Sequence, residues 1–413
     1  MNAYKYATGI ITKLVRTGFC AYFAGGWVRD YVMGHPSEDI DIATNATPSE
    51  IMDLFPHTLL VGLAFGVVIV VIEGHQFEVA TFRKDLHYID GRRPEEIDLT
   101  ATAQEDALRR DFTINGMFYD PLTEVIHDYV QGKHDIQHGV IRTIGNPHER
   151  FFEDRLRMLR AFRFAARFSF NMDVETQQAI QENADKLFPA VAMERVWQEF
   201  NKMAAYPRFD QAIVEMHRLS LLDVIFPEME GMHIKDLRHL VSAYAAFPPA
   251  CPTILYIMEI FPHLPLKQKL EIGKRMRAKN SDLKLIEYFD ALSQTLQEKE
   301  GMSERQTLVH LMAHPHYTLC LHVLAARYPL PHERAAFLNK YEQLFQQLES
   351  HIKRVQTKSP LITSNLLQQQ GILPGKQMGL LLKEAEKLAI NENLEQTEWV
   401  LAKLKQSPYW KVA

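Results

Sequence analysis

The stretch GGWVRDYVMGHPSEDIDIAT, from Gly25 to Thr44, contains two aspartates, Asp39 and Asp41, on either side of one isoleucine. In a strand, residues two positions apart share a face, so the two carboxylates converge while Ile40 and Ile42 bury the opposite face. Adjacent carboxylates repel each other, and a divalent cation makes the arrangement favourable. Mg²⁺ usually takes one or two carboxylates and leaves its other positions to water and phosphates. The pattern predicts a magnesium site; taken alone, it also fits an exposed strand end that binds nothing.

The residues around the aspartate pair supply further polar groups. The run AYFAGGWVRD is typical of a strand, a glycine turn and a helix start. Gly25 and Gly26 allow the backbone to approach a phosphate, which N–H groups at a helix start bind well. Arg29, in the first helical turn, is placed to contact a polyphosphate. Glu78 interrupts the apolar run HQFEVATF and is either a third carboxylate from a neighbouring strand or an ordinary edge residue.

The chain changes character between Tyr129 and Gly145. Before this region, short β-type runs such as FGVVIVVI and HQFEVATF predominate, and after it long segments with helical spacing follow. The sequence therefore predicts an α+β protein, with a mixed β-sheet in an N-terminal head and helices throughout the rest.

Composition restricts the class of protein. The chain has 413 residues, 46% hydrophobic and 23% charged, as in globular proteins without wholesale disorder. Its three cysteines are far apart and form neither a disulfide framework nor a metal-binding spacing, and the N-terminus lacks the apolar run of a signal peptide. The most apolar segment is too short to span a bilayer. We expect a cytoplasmic protein without a membrane segment.

Six motifs together resemble one enzyme family. They are GGWVRD, DIDIAT, FEVATFR, RRDFTING, DYVQG and FEDRLRMLRAFRFAARF, and they cover roughly Tyr22 to Phe170. In this order they resemble the class II tRNA nucleotidyltransferase and bacterial poly(A) polymerase family, whose members share a polymerase-β-like nucleotidyltransferase head. Beyond about Lys202 only the helical character is similar. One departure is Gly116, where the family usually has alanine; we expect a small change in packing there.

The resemblance implies a division into four parts. These are a catalytic head over residues 1–140, a helical neck for base recognition over 141–202, a helical body over 203–300 and a helical tail for tRNA binding over 301–413.

The resemblance also implies an activity: transfer of C, C and then A from CTP and ATP to the 3′ end of tRNA, without a template and with release of pyrophosphate. Asp39 and Asp41 would hold two Mg²⁺ ions, and Glu78 would join them as a catalytic residue. The residues implied in nucleotide binding are Gly25, Gly26, Arg29, Arg109, Arg110, Asp111, Glu153, Asp154, Arg157, Arg160 and Arg163.

Base choice follows from hydrogen-bonding patterns. An aspartate beside an arginine forms an edge with an acceptor and several donors, which complements cytosine and adenine but opposes guanine and uracil. Asp154 and Arg157 would provide this edge, and Asp111 would accept a hydrogen bond from the ribose 2′ hydroxyl. Without the other motifs, such a helix is more often a surface with salt bridges between residues three or four apart.

Two other activities remain open. Motif residues barely separate a CCA-adding enzyme from an A-adding enzyme or a bacterial poly(A) polymerase. The segment Lys84 to Leu99 has the composition of a mobile loop and resembles the family loop needed for adding A, and Leu60 to Gly74 is more similar to the CCA-adding form. A non-catalytic RNA-binding protein is less favoured, because Asp39 and Asp41 are both present.

Overall fold

The computed structural model describes residues 2–35, 37–60, 66–88, 94–99, 101–297 and 305–410. The chain divides into two units, Met1–Asp236 and Leu237–Ala413. The strands are β1 (Ala21–Ala24), β2 (Asp41–Thr44), β3 (Thr58–Leu59), β4 (Val67–Ile72), β5 (His75–Thr81), β6 (Lys84–Tyr88), β7 (Pro94–Asp98), β8 (Met117–Asp120), β9 (Val125–Asp128), β10 (Val140–Ile141) and β11 (Asn171–Met172).

A seven-stranded mixed sheet forms the N-terminal part of the first unit, in the order β3-β4-β5-β2-β1-β8-β9. β2 and β5 are parallel, and the other neighbours are antiparallel. β4 has the sequence VVIVVI, and such β-branched side chains pack well on a pleated surface.

Helices cover one face of this sheet. They are α1 (Asn2–Arg16), α2 (Gly26–Val32) and α3 (Pro48–Leu54), which share a continuous buried cluster with Phe23 and Ile42 of the sheet. The opposite face has a smaller cluster that includes Ala43. Because Asp41 lies two residues before Ala43 on β2, its side chain points to this second face.

The remaining helices of the first unit lie between the later strands or after them along the chain. A 3-10 turn at Thr113–Asn115 precedes β8. The helices are α4 (Ala103–Leu108), α5 (Gly132–His138), α6 (Pro147–Glu153), α7 (Leu156–Phe168), α8 (Val174–Asn183), α9 (Met193–Met203), α10 (Phe209–Arg218) and α11 (Leu221–Ile225).

The described part of the second unit is helical and contains no strand. From Ile234 onward the helices are α12 (Ile234–Val241), α13 (Thr253–Ile260), α14 (Leu266–Arg275), α15 (Asn280–Gln297), α16 (Arg305–Met312), α17 (Tyr317–Ala325), α18 (Pro331–Gln347), α19 (Glu349–Thr357), α20 (Ser364–Gln369), α21 (Lys376–Asn391) and α22 (Thr397–Leu404).

The predicted fold class is confirmed: a head with a mixed sheet precedes helices. The division into four parts stays a prediction. The segment expected to be a loop, Lys84 to Leu99, contains the antiparallel strands β6 and β7, while residues 89–93 lie outside the described residues. Among the helices that the structure describes, none is both long and apolar enough to cross a membrane.

Candidate active site

A cavity of about 620 Å³ in the first unit brings most of the predicted site residues together. Two of the predicted residues, Glu78 and Glu153, do not line it. The twelve that do are Gly25, Gly26, Arg29, Asp39, Asp41, Arg109, Arg110, Asp111, Asp154, Arg157, Arg160 and Arg163.

The predicted acidic pair lies at the start of β2. The strand begins at Asp41, opposite Ala24 of β1, so Asp39 precedes the strand instead of lying within it as expected. Burial, and then the negative charges of Glu78 and Asp39, raise the pKa of Asp41 to about 6, against the opposing charge of Arg110. A partly buried carboxylate beside other carboxylates is an environment that a cation stabilises.

Oxygen donors of this kind fit a hard divalent cation. Within the described ranges, no group of three or more His, Cys, Asp or Glu side chains is placed to hold a metal ion. Asp39 and Asp41 are two carboxylates, which is the number that Mg²⁺ commonly takes from a protein. The predicted role of Glu78 stays a prediction; its side chain affects the site through its charge on Asp41.

The glycine turn packs against an arginine. Gly25 has φ 66° and ψ −124° and caps α2, a backbone conformation that strongly favours glycine. A Cβ atom on Gly25 would lie 3.0 Å from Nη1 of Arg110. The turn and Arg110 therefore form one wall of the cavity.

Arg29 is held by protein groups. Only 4% of its surface is exposed, although it lines the cavity. Its Nε donates to Oδ1 of Asp30 at 2.7 Å and its Nη1 to Oδ1 of Asn115 at 2.6 Å. Its guanidinium lies 4.6 Å from the ring centre of Phe168 in α7. These contacts link α2 to the turn before β8 and to α7. The contact of Arg29 with a polyphosphate stays a prediction.

Asp111, which precedes β8 in the head, binds to α7, the helix that also contacts Arg29. Its Oδ1 accepts hydrogen bonds from the backbone N–H of Phe112 at 2.8 Å and from Nδ2 of Asn115 at 3.1 Å. Its Oδ2 accepts from Nε and Nη2 of Arg160. Burial raises the pKa of Asp111, but the charge of Arg160 and hydrogen bonds from Asn115 and Arg160 outweigh it and hold the pKa at about 2. Four donors fill the lone pairs of this carboxylate, so a 2′ hydroxyl must displace one of them.

The predicted base-reading pair has additional partners. Asp154 directly follows α6, and its carboxylate accepts from Nη2 of Arg195 in α9 at 3.0 Å. Arg157 donates to Oε2 of Glu153 at 2.5 Å and to the backbone carbonyl of Arg109 at 3.1 Å. Glu153 therefore orients Arg157 from outside the cavity.

Sequence reasoning missed eight residues of the cavity wall. Asn115 lies inside the quoted RRDFTING motif, and Asp30 follows Arg29 directly. Arg167 lies seven residues after Arg160 on the same face of α7, a spacing that the sequence already displays. Its Nη2 donates to Oδ2 of Asp30 at 3.1 Å. The missed residues are Trp27, Asp30, Ser37, Asn115, Leu156, Phe164, Arg167 and Arg195.

The cavity wall contains more basic than acidic side chains. Eight of the residues are arginines and five are aspartates. The wall therefore offers carboxylates for a cation and guanidinium groups for an anion. A phosphate chain with its bound cation matches this distribution of charge.

Comparison with known proteins identifies relatives of the chain. A family described as "Poly A polymerase head domain" matches residues 21–142, and one described as "Probable RNA and SrmB- binding site of polymerase A" matches residues 169–232. The CCA-adding enzyme of Enterococcus faecalis is 44% identical over 202 residues, which are 49% of each chain. A crystal structure of the Bacillus stearothermophilus CCA-adding enzyme in complex with CTP aligns with a TM-score of 0.79 and 25% identity, covering 98% of both chains.

One relative extends the similarity along nearly the whole chain. The CCA-adding enzyme of Pediococcus pentosaceus is 31% identical over 401 residues, which are 95% of this chain and 95% of that enzyme. At this coverage, the match extends over most of both units. The chain therefore belongs to the CCA-adding enzyme family.

Proposed function

We propose that this protein adds C, C and A to the 3′ end of tRNA, using CTP and ATP and releasing pyrophosphate. The observation that carries the proposal is the placement of Asp39 and Asp41 in one cavity with eight arginines. The near full-length similarity to a CCA-adding enzyme supports it.

We further propose that Asp39 and Asp41 hold Mg²⁺, in a two-metal arrangement. The ions would make the 3′ hydroxyl of the RNA a better nucleophile and neutralise the triphosphate and the leaving pyrophosphate. The raised pKa of Asp41 supports this assignment, because burial and the negative charges of Glu78 and Asp39 outweigh the positive charge of Arg110.

Arginines would bind the triphosphate. Arg109 and Arg110 line the cavity, and Arg110 lies against the Gly25 turn. The 3′ oxygen of the RNA attacks the α-phosphorus, a new phosphodiester bond forms, and the bond to pyrophosphate breaks. Guanidinium groups fixed in place stabilise the charge on the departing phosphates without reorganising.

The base would be recognised by Asp154 and Arg157, which line the cavity wall. Asp154 accepts from the amino group of cytosine or adenine, and Arg157 donates to the adjacent ring nitrogen. Arg195 holds the Asp154 carboxylate, and Glu153 holds Arg157. Protein groups therefore orient the hydrogen-bonding edge formed by Asp154 and Arg157 before a nucleotide binds.

The remaining assignments concern the partner and the regions that hold it. tRNA is the proposed acceptor, with residues 141–202 reading the base, residues 203–300 as a body and residues 301–413 binding tRNA. Asp111 would contact the ribose after displacing one of its present donors.

The test uses purified protein, Mg²⁺ and one labelled nucleoside triphosphate at a time. Three tRNA transcripts serve as acceptors: one lacking CCA, one lacking CA and one lacking the final A. The proposal predicts CMP incorporation into the first two and AMP incorporation only into the third. A long A tail on unrelated RNA would contradict it, and AMP addition without any CMP addition would indicate an A-adding enzyme.

A further inference from the structure

Asp106 in α4 binds two arginines of the cavity wall without lining the cavity itself. It is 1% exposed. Its Oδ1 accepts from Nε and Nη2 of Arg109 at 3.0 and 2.6 Å. Its Oδ2 accepts from Nε and Nη2 of Arg110 at 3.2 and 2.9 Å. One carboxylate therefore holds two consecutive guanidinium groups, each by two hydrogen bonds.

Helical spacing makes this arrangement possible. Arg109 and Arg110 follow Asp106 by three and four residues, and both positions lie one turn further along the same face. Oδ1 of Asp106 also accepts from the backbone N–H of Arg83, just after β5, at 3.2 Å. This bond ties the carboxylate to the backbone that follows β5.

The charges favour an ionised carboxylate. Burial raises the pKa of Asp106, but the positive charges of Arg110 and Arg109 outweigh burial and lower the pKa. One negative charge beneath two positive charges reduces their repulsion and leaves a net positive charge at the cavity wall.

The orientation of Arg110 connects Asp106 to the rest of the site. The guanidinium of Arg110 lies 5.0 Å from the ring centre of Phe118 and against the Gly25 turn. Its charge also lowers the pKa of Asp41. Arg110 therefore contacts the glycine turn and acts on Asp41 through its charge. Two of its hydrogen bonds go to Asp106, and a third goes to the backbone carbonyl of Asn115 at 3.4 Å.

We propose that Asp106 is a positioning residue that aims Arg109 and Arg110 at the phosphates of the incoming nucleoside triphosphate. This inference rests on the proposed function, which assigns nucleoside triphosphates to the cavity. An arginine held by two hydrogen bonds loses little further side-chain freedom when it binds a phosphate.

The first test is steady-state kinetics of Asp106→Asn. An asparagine keeps the size of the side chain but places an amide NH₂ against one of the two arginines. We expect the KM values of CTP and ATP to rise by about tenfold or more, as for the loss of a charged hydrogen bond, with kcat and the KM of tRNA within about threefold of the wild type. Asp106→Glu keeps the charge and should show a smaller rise.

The matched control is Asp135→Asn. Asp135 is also a buried carboxylate of the first unit, bound to Thr113 and Arg142, and it does not line the cavity. Its substitution should lower the melting temperature without raising the KM of either nucleotide. Equal KM changes in the two variants, or an unchanged KM in Asp106→Asn, would overturn the inference.

A binding measurement separates this inference from the proposed function. Inorganic pyrophosphate with Mg²⁺ is titrated into wild type, Asp106→Asn and Asp135→Asn by calorimetry, which requires no nucleotide transfer. We expect at least about tenfold weaker binding for Asp106→Asn alone. If the wild type adds no nucleotide but shows this difference, the proposed function fails and the positioning role stands. Equal binding by all three proteins would refute the positioning role.

Discussion

The ion pair between Asp111 and Arg160 should stabilise the first unit in a pH-dependent way. The pKa of Asp111 is about 2, below its ordinary value of 3.8. This difference corresponds to about 2 kcal/mol of stability when the carboxylate is ionised. Since the Arg160 side chain is 31% exposed, water screens part of the interaction, and the figure is an upper value.

The perturbation is Asp111→Asn, which keeps the shape and removes the charge. A carboxyl group with a lowered pKa stabilises the fold fully above its unfolded pKa, and this contribution is lost as the pH falls through the folded pKa. We therefore expect the variant to be less stable than the wild type by about 2 kcal/mol from pH 7 down to about pH 4, and the gap to narrow between pH 4 and pH 2.

Urea unfolding followed by tryptophan fluorescence measures this gap. Two of the four tryptophans, Trp27 and Trp197, lie in the first unit, so a Trp399→Phe, Trp410→Phe background reports on that unit alone. Adding Arg160→Gln to both proteins should abolish most of the difference, because the partner charge is gone. A gap that is absent at pH 7, or that stays constant from pH 7 to pH 2, would refute the reasoning.

Two glycine substitutions test the packing around the site. Gly25→Ala should destabilise the protein by about 1–3 kcal/mol and lower nucleotide incorporation, because it strains a positive φ and pushes Arg110 aside. The control is Gly18→Ala, at φ 94° with nothing within 4 Å of its Cβ. This variant should lose stability without a change in incorporation per folded molecule. Gly116→Ala should destabilise by about 1–3 kcal/mol in urea unfolding, since its Cβ would lie 2.7 Å from Cγ2 of Val130, and Val130→Ala should restore part of the loss. Equal incorporation by Gly25→Ala and Gly18→Ala, or a fully stable Gly116→Ala, would contradict these expectations.

Local patterns in the sequence predicted the order of the elements and most of the cavity wall. The glycine turn before α2, the acidic pair at β2 and the Asp154 and Arg157 pair each depend on residues within one turn or strand of one another. Such short-range geometry follows from the periods of helix and strand. The fold class could therefore be predicted without the structure.

The connections between these segments could not be predicted in the same way. Arg29 and its partner Asn115 are 86 residues apart, and Asp111 and Arg160 are 49 residues apart. The sequence predicts that Arg29 contacts a polyphosphate, since an arginine near a glycine turn often binds an anion. In the fold, Asp30 and Asn115 already accept its hydrogen bonds. Tertiary contacts decide which of several arginines keeps its donors for a ligand.

Asp106 illustrates the same difficulty. In the sequence it is one of three acidic residues in EDALRRD, and its spacing to Arg109 and Arg110 is that of an ordinary surface salt bridge. Its burial, which turns that spacing into a support for the cavity wall, depends on the packing of α4 against the sheet.

The most direct test of the central claim is the incorporation of labelled CMP and AMP by Asp39→Asn and Asp41→Asn. If these carboxylates hold the Mg²⁺ that drives nucleotidyl transfer, each variant should lose incorporation by at least about 100-fold while remaining folded. Glu38→Gln removes a neighbouring exposed carboxylate that does not line the cavity and should retain activity. Undiminished incorporation by either aspartate variant would contradict the account.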